Sequence, residues 1–359
     1  MKRTFSNIVL KFSFLAIFTI VPCFSIQDDL VLIRKELEEK NSTPSDKKSL
    51  EILNVSYDPT REFYEAYNHA FKTWWKDKTQ QIVTIIQSHG GSAKQARAVI
   101  SGLEADVVSL ALAFDIDAIE SMTHLVGSKE WENRLPHKSA PYFSTIVFLV
   151  RTGNPKGIKD WGDLIKEGIN VVMPNPKTSG GARWTYMAAW GWALNQYKSQ
   201  DGAKDYLKKL FKNAPILETG ARGATTTFIQ RDMGDVLLTW ENEAYLTIEK
   251  EGKGAFEIVY PSLSIQADPP VTWLEGILKE KGTADAAHFY LKYLYSVQAQ
   301  ELIAQHFFRP YDETILEKNK ARFPPITMQT IKDFGGWEKV QELHFKDDAL
   351  FDQVYLNEA

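Results

Sequence analysis

One cysteine, Cys23, occurs in the 359 residues, which excludes a disulfide framework and any multi-cysteine zinc or iron–sulfur site. Basic excess is missing as well: 42 Lys and Arg stand against 46 Asp and Glu, a formal net charge of -4. That balance gives no general attraction to nucleic acid or to an anionic membrane, so any bound anion must be held by a local site. The seven histidines (69, 89, 124, 137, 288, 306 and 344) are scattered without ligand-like pairing, which argues against zinc. The chain has no G-x-S-x-G elbow, no H-E-x-x-H, no Walker A lysine motif and no G-x-G-x-x-G. What is present is ordinary for a packed globular chain: 44% hydrophobic and 25% charged residues, which rules out disordered, collagenous and polytopic membrane classes. Ten Trp, 14 Tyr and 20 Phe favour aromatic-rich cores and clefts. The length corresponds to about two domains.

Residues 1–25 open with Lys2 and Arg3 and continue as a short apolar run, the pattern of an export signal. The run is too short to span a bilayer comfortably, and Lys11 interrupts it. Cleavage after Ser25 leaves a mature chain without cysteine, free in the periplasm. Lipidation of Cys23 is the alternative and would tether the protein, although Pro22 before the cysteine is unusual for such a signal. Residues 26–50 are charge-rich, with a turn cluster at Asn41–Asp46, and read as a spacer.

From residue 51 onward strand-like runs alternate with helical patterns, an α/β architecture with parallel strands. Ile52–Ser56 reads as the first strand, and Asp58-Pro59 as an N-cap followed by a first-turn proline. The next helix carries Phe63, Tyr67, Phe71 and Trp74 on one face, expected as core. Tyr142–Arg151 reads as one long strand opening a second lobe, and 283–306 as one long amphipathic helix. The expected division is 51–140 with 246–345 in one lobe, 141–245 in the other, and 346–359 as a tail. No internal repeat of 20–50 residues occurs.

Three loops share a pattern in which a strand ends, small residues follow and a helix begins: Ser88-His-Gly-Gly-Ser92, Thr178-Ser-Gly-Gly-Ala-Arg183 and Thr219-Gly-Ala-Arg-Gly223. The first-turn amides of a helix lack internal acceptors, and the helix dipole adds about half a positive charge there. Glycine lets a ligand approach that backbone closely. Each such end is a candidate anion cradle, and three in one chain strengthen the reading.

These strings, together with Asn54-Val-Ser-Tyr-Asp-Pro-Thr-Arg61, Ser139-Ala-Pro-Tyr142, Asn175-Pro-Lys177 and Thr239-Trp-Glu-Asn-Glu243, resemble the periplasmic sulfate-binding proteins of bacterial sulfate/thiosulfate ABC importers. The resemblance covers about residues 51 to 345 with the motifs in family order. It implies a type II periplasmic binding protein fold, two α/β lobes joined by two crossings with the ligand cleft between them. It also implies sulfate ligands: the amides of Ser92, Gly180, Gly181 and Ala221, the Ser179 hydroxyl and the Trp240 indole N–H. Asp58, His89, Arg183 and Arg222 match the residues that fix the binding loops. The implied partners are sulfate and a membrane ABC permease, with no cofactor, no metal, no catalysis and a monomeric chain. Two departures are mild: Thr178 stands where Ser is common, and Ala224-Thr-Thr follows Gly223.

The residue types suit that ligand independently. Sulfate has no proton to donate at physiological pH, and Trp, amide and Ser groups can all donate to it. Phosphate retains a proton and rewards an acceptor carboxylate, which would repel sulfate in a dry cleft. Thiosulfate, molybdate and tungstate stay open as rival ligands. Taken singly, each position has a plainer reading. Asp58 is first an N-cap, His89 a loop residue, Trp240 a core residue, and Arg183 and Arg222 partners of surface carboxylates. Glu241 and Glu243 are expected at the solvent face or as caps. An exported ester hydrolase is the alternative from another class, since His89-Gly90-Gly91 is similar to the oxyanion loop of lipase-type enzymes.

Overall fold

The computed structural model describes residues 50–252 and 254–355, all within a compact unit that spans 45–359. The export signal, Cys23 and nearly all of the spacer expected from the sequence lie outside the described residues.

Strand β1 (Leu50–Tyr57) runs into a one-turn 3-10 segment, Asp58–Thr60, and then helix α1 (Arg61–Thr79). On α1, Phe63, Tyr67 and Phe71 are buried as the spacing predicts, but the fourth place belongs to Trp75, with Trp74 half-exposed. Strand β2 (Val83–Gly90), helix α2 (Ser92–Ile100), strand β3 (Val107–Ser109) and helix α3 (Ala113–Thr123) complete the first pass. β1 pairs in parallel with β2 on one side and β3 on the other. Val55, Val108, Ile116, Ile119 and Trp131 form the core beneath this sheet.

The run 142–151 is two strands, β4 (Tyr142–Phe143) and β5 (Ile146–Arg151), because the chain crosses between sheets at Ser144. Strand β6 (Val171–Pro174), helices α4 (Gly180–Tyr197) and α5 (Gln200–Lys212), strand β7 (Leu217–Glu218), helix α6 (Ala221–Ile229), strand β8 (Val236–Trp240), helix α7 (Glu241–Glu251) and strand β9 (Phe256–Val259) follow. They build a second sheet in the order β7-β6-β8-β5-β9. Its inner strands β6 and β8 are parallel, whereas β5 runs antiparallel to both its neighbours, a mixture the alternating pattern did not predict. α4 is buried on nearly every side, which fits its almost continuous run of Ala, Trp, Met and Tyr.

Strand β10 (Ser264–Ile265) and strand β11 (Val271–Trp273) return the chain, β11 adding antiparallel to β3 at the edge of the first sheet. The outward and return crossings lie side by side, joined by Ser144 and Ala267, whose amides each donate to the other's carbonyl at 2.9 Å. This is the two-lobed type II arrangement, with helix N-termini of both lobes facing one another across the crossings.

Three features depart from the expected division. The chain leaves the second sheet after Val259 rather than at 245, because Phe256–Val259 extends that sheet against β5. The expected long helix 283–306 is two, α8 (Ala284–Tyr293) and α9 (Val297–Gln305), since the Ser296 hydroxyl accepts the Ala299 amide and starts a new helix. Beyond strand β12 (Arg309–Pro310), which pairs with β4, strand β13 (Met328–Gln329) lies against β10. The segment expected as a tail forms helix α10 (Leu350–Tyr355), whose Phe351 packs on Phe211 of α5 with ring centroids 5.4 Å apart.

Candidate functional site

The three glycine loops occupy the carboxyl ends of β2, β6 and β7, the edge at which open α/β sheets bind ligands. Each launches a helix: α2 begins at Ser92, α4 at Gly180 and α6 at Ala221. The N-termini converge on one cavity of about 220 Å³, counting its mouth. Ser92, Ser179, Gly180, Gly181, Ala221 and Trp240 all line it, so every residue expected as a ligand contact is brought to one place. Tyr57, Asp58, Pro59, Gly91 and Ala111 supply the remaining wall.

The local chemistry leaves donors free. The Ser179 side-chain oxygen accepts from Ala182 N at 3.3 Å, which caps α4 and leaves the hydroxyl proton to point elsewhere. The amides of Gly180 and Gly181 precede the first intrahelical acceptor, so the cap does not use them. Ser92 spends its hydroxyl on structure: Oγ donates to Asp115 Oδ2 at 2.5 Å and accepts from Ala111 N at 3.0 Å, which locates its own amide at the cavity. Trp240 is 2% exposed, and its indole N–H has no protein partner. A buried donor without a partner costs about 1–3 kcal/mol, so one that lines a cavity is poised for a ligand. Gly181 stands beside it: a Cβ at that position would lie 2.3 Å from Trp240 Nε1.

Of the four residues expected to fix the loops, Asp58 lines the cavity and His89, Arg183 and Arg222 lie behind its wall. His89 lies across from Ser56 in the β1–β2 register, and its Nδ1 is 2.7 Å from Ser56 Oγ. Burial, aided by the Arg61 and Arg222 charges, pushes the His89 imidazole down to about 4, so it is neutral at physiological pH. Arg183 is buried and turned from the cavity; Nε donates to Pro176 O at 3.0 Å and an Nη to Gln341 Oε1 at 2.9 Å. It thereby ties the loop ahead of α4 to the C-terminal segment. Arg222 reaches across the cleft to Glu62 Oε2 at 2.5 Å. Lys250 joins the same carboxylate at 2.6 Å. Arg222 Nε also lies 3.1 Å from Glu243 Oε2, without hydrogen-bond geometry. Asp58 lines the cavity itself, with Oδ1 3.8 Å from Arg61. Burial raises its carboxyl, while Arg61, Arg222 and Lys94 pull it back down.

Glu241 and Glu243 contradict their solvent-facing expectation, being 0% and 2% exposed. Glu241 forms a two-pronged pair with Arg309, both contacts at 2.7 Å, anchoring the start of α7 to the crossing strand β12. Glu243 is pushed up to about 7 by burial, against the pull of Arg222. Sequence reasoning missed Glu241 as an anchor and the burial of Glu243, and it placed Asp58 among the loop-fixing residues and not in the cavity wall, where Tyr57 also lies. The Asp58-Pro59 helix start was the available signal for the wall. A glutamate that immediately follows a buried strand-end Trp was the signal for the anchor.

Further contacts close one lobe on the other around the cavity. Trp184 Nε1 on α4 donates to Ala111 O at 2.8 Å, and Asn242 Nδ2 donates to Pro59 O at 3.3 Å. Among the described residues there is no cluster of His, Cys, Asp and Glu suited to a metal ion, and no helix long and apolar enough to cross a membrane.

Donor-lined helix ends facing each other across two crossings define a two-lobed binding protein for a small anion. Residues 57–309 match the bacterial extracellular solute-binding protein family, and the chain belongs to it. The chain is 54% identical over 309 residues to a sulfate-binding protein of Escherichia coli (strain K12), covering 86% of this chain and 93% of that one. A thiosulfate-binding protein of Pseudomonas aeruginosa is 50% identical over 305 residues, covering 85% and 92%. Among solved structures, the sulfate-binding protein SubI of Mycobacterium tuberculosis superimposes with a TM-score of 0.73 at 32% identity, covering 83% of this chain and 100% of that one.

Proposed function

We propose that this protein captures sulfate, or thiosulfate, outside the cytoplasm and delivers it as a monomer to a membrane ABC permease, without catalysing a reaction. The unpartnered Trp240 N–H in a cavity walled by helix N-termini is the observation that carries the reading. The site residues are the Ser92, Gly180, Gly181 and Ala221 amides, the Ser179 hydroxyl and the Trp240 indole.

Every one of these groups donates, which matches a dianion that has no proton to give. No Lys, Arg, His or Cys lines the cavity, and its one carboxylate, Asp58, lies 3.8 Å from Arg61, so the anion is met by dipoles and not by a paired cation. Charge-assisted bonds contribute about 1.5–3 kcal/mol each, and half a dozen, less the desolvation and ordering costs, support roughly micromolar or tighter binding. The absence of a histidine or cysteine from the lining also favours binding over ester hydrolysis. The thiosulfate reading is kept alongside sulfate because relatives of both names match the chain closely.

Titrating the protein with sulfate while following tryptophan emission tests the assignment. A saturable one-to-one change that disappears in Trp240→Phe supports it. An identical response in that variant removes Trp240 from the site.

A further inference from the structure

We infer that Gly91 is a closure residue: its missing side chain is what allows the second lobe to seat over the anion. The inference rests on the cavity being the anion site and concerns how that site closes.

The backbone does not need glycine at this position. Gly91 has φ -59 and ψ 135, an extended conformation open to every L-residue. Its own lobe does not need glycine either. A Cβ built there would meet Thr178 O at 3.1 Å and Thr219 O at 3.9 Å, and apart from its chain neighbours no other atom lies within 4 Å. Both carbonyls belong to the loops of the second lobe, ahead of α4 and α6. The restriction on residue 91 therefore exists in the closed arrangement and is absent when the lobes are apart.

The opposing surface has little freedom to retreat. Thr178 is held through its amide to Asn175 O at 3.0 Å and its hydroxyl to Thr219 O at 3.0 Å, which locks the two loops together. The next residues in that loop are Ser179, Gly180 and Gly181. A wedge at 91 consequently displaces three of the proposed donors as one body. Gly180 makes the reciprocal contact: a Cβ there would stand 2.8 Å from Ala111 Cβ and 3.1 Å from Ser92 Cβ of the first lobe. Two glycines on facing loops thus form a seam, Gly91 against backbone carbonyls of the second lobe and Gly180 against side-chain carbons of the first. Closure is a population shift, and a side chain that penalises one state alone lowers affinity by the fraction of closed protein it removes.

The test uses full-length mature protein carrying Gly91→Ala and Gly91→Val, with stopped-flow sulfate binding, small-angle X-ray scattering and thermal unfolding. Sulfate affinity should fall in order of side-chain size, about 10-fold for Ala and about 100-fold or more for Val, mostly through faster release. In saturating sulfate the Val variant should keep the larger radius of gyration of the ligand-free protein, while its ligand-free Tm is unchanged or raised. Val binding within about 3-fold of wild type with normal compaction overturns the inference. So does a fall in association rate with release unchanged, which would mean the side chain blocks the cavity. A fall in the ligand-free Tm overturns it as well, since the glycine would then serve the first lobe's own fold. Failure of the wild-type protein to compact with sulfate would instead sink the site reading beneath it.

Discussion

Trp240 and Gly181 face each other so closely that a single methyl group on Gly181 would fall 2.3 Å from the indole nitrogen. In the proposed site both donate, Trp240 through its indole and Gly181 through its amide, and the missing side chain of Gly181 leaves room beside the indole nitrogen. Replacing Trp240 by Phe keeps most of the shape and removes one charge-assisted bond, about 1.5–3 kcal/mol, so Kd for sulfate should rise roughly 10- to 100-fold. The ligand-free Tm should not fall, because the lost N–H has no protein partner. Calorimetric titration of Trp240→Phe beside Gly181→Ala checks both, and the glycine variant should bind more weakly still.

Ser179 has two duties that can be separated. As the N-cap of α4 it accepts the Ala182 amide, and in the proposed site its hydroxyl donates to the anion. Ser179→Ala should therefore lower the ligand-free stability by about 1 kcal/mol and, independently, weaken sulfate binding about 10-fold. A Gly variant should recover most of the stability and none of the affinity. Denaturant unfolding with and without sulfate reads the two losses.

The Arg222–Glu62 pair spans the cleft, from α6 to α1, with both side chains about a quarter to a third exposed. Glu62 is held down to about 2: burial opposes this, but the Arg222 and Lys250 contacts outweigh it. A carboxylate with a depressed value gives stability that is complete above its ordinary value near 4.5 and is lost as pH falls toward 2. Glu62→Gln should speed sulfate release about 3- to 5-fold at neutral pH, an effect that shrinks in high salt. Equal release rates in wild type and variant would show that the pair does not hold the closed state.

Glu243 supplies the opposite sign. Its carboxyl is raised to about 7 by burial, so between about pH 4.5 and 7 the folded protein binds more protons there than the unfolded chain does, and stability falls as pH rises. His89 and His344, both lowered to about 4 by burial, act the other way: their contribution is full above 6.5 and fades as pH drops toward 4. Glu243→Gln isolates the glutamate. From pH 4.5 to 8 the Tm of the wild type should decline relative to the variant, whereas parallel curves would mean that the carboxylate is charged throughout.

Much of the site was legible because its chemistry is local. A strand end, two or three small residues and a helix start are contiguous in sequence, and the amides they free follow from helix geometry. The anchors were not legible because they depend on distant partners. Glu241 pairs with Arg309, and although Arg183 was named among the loop-fixing residues, its partner Gln341 lies too far along the chain for a local pattern to reveal. The lobe boundary was misread for a related reason. Phe256–Val259 has the same apolar character whichever sheet receives it, and only pairing with β5 assigns it. The break before Ser296 shows the limit of periodicity: the apolar stripe continues past Tyr293, where one helix ends, to Ser296, whose hydroxyl caps the next.

The central claim is a donor-only anion site, and calorimetry of the mature protein with sulfate, thiosulfate, molybdate and phosphate at pH 6 and pH 8 tests it most directly. Tight one-to-one sulfate binding with phosphate silent and little change between the two pH values is the predicted result. Preference for phosphate, or sulfate affinity that collapses at pH 8, would contradict the account, because either outcome points to a carboxylate, Asp58 on the cavity wall first of all, turned to the ligand instead of held by Arg61.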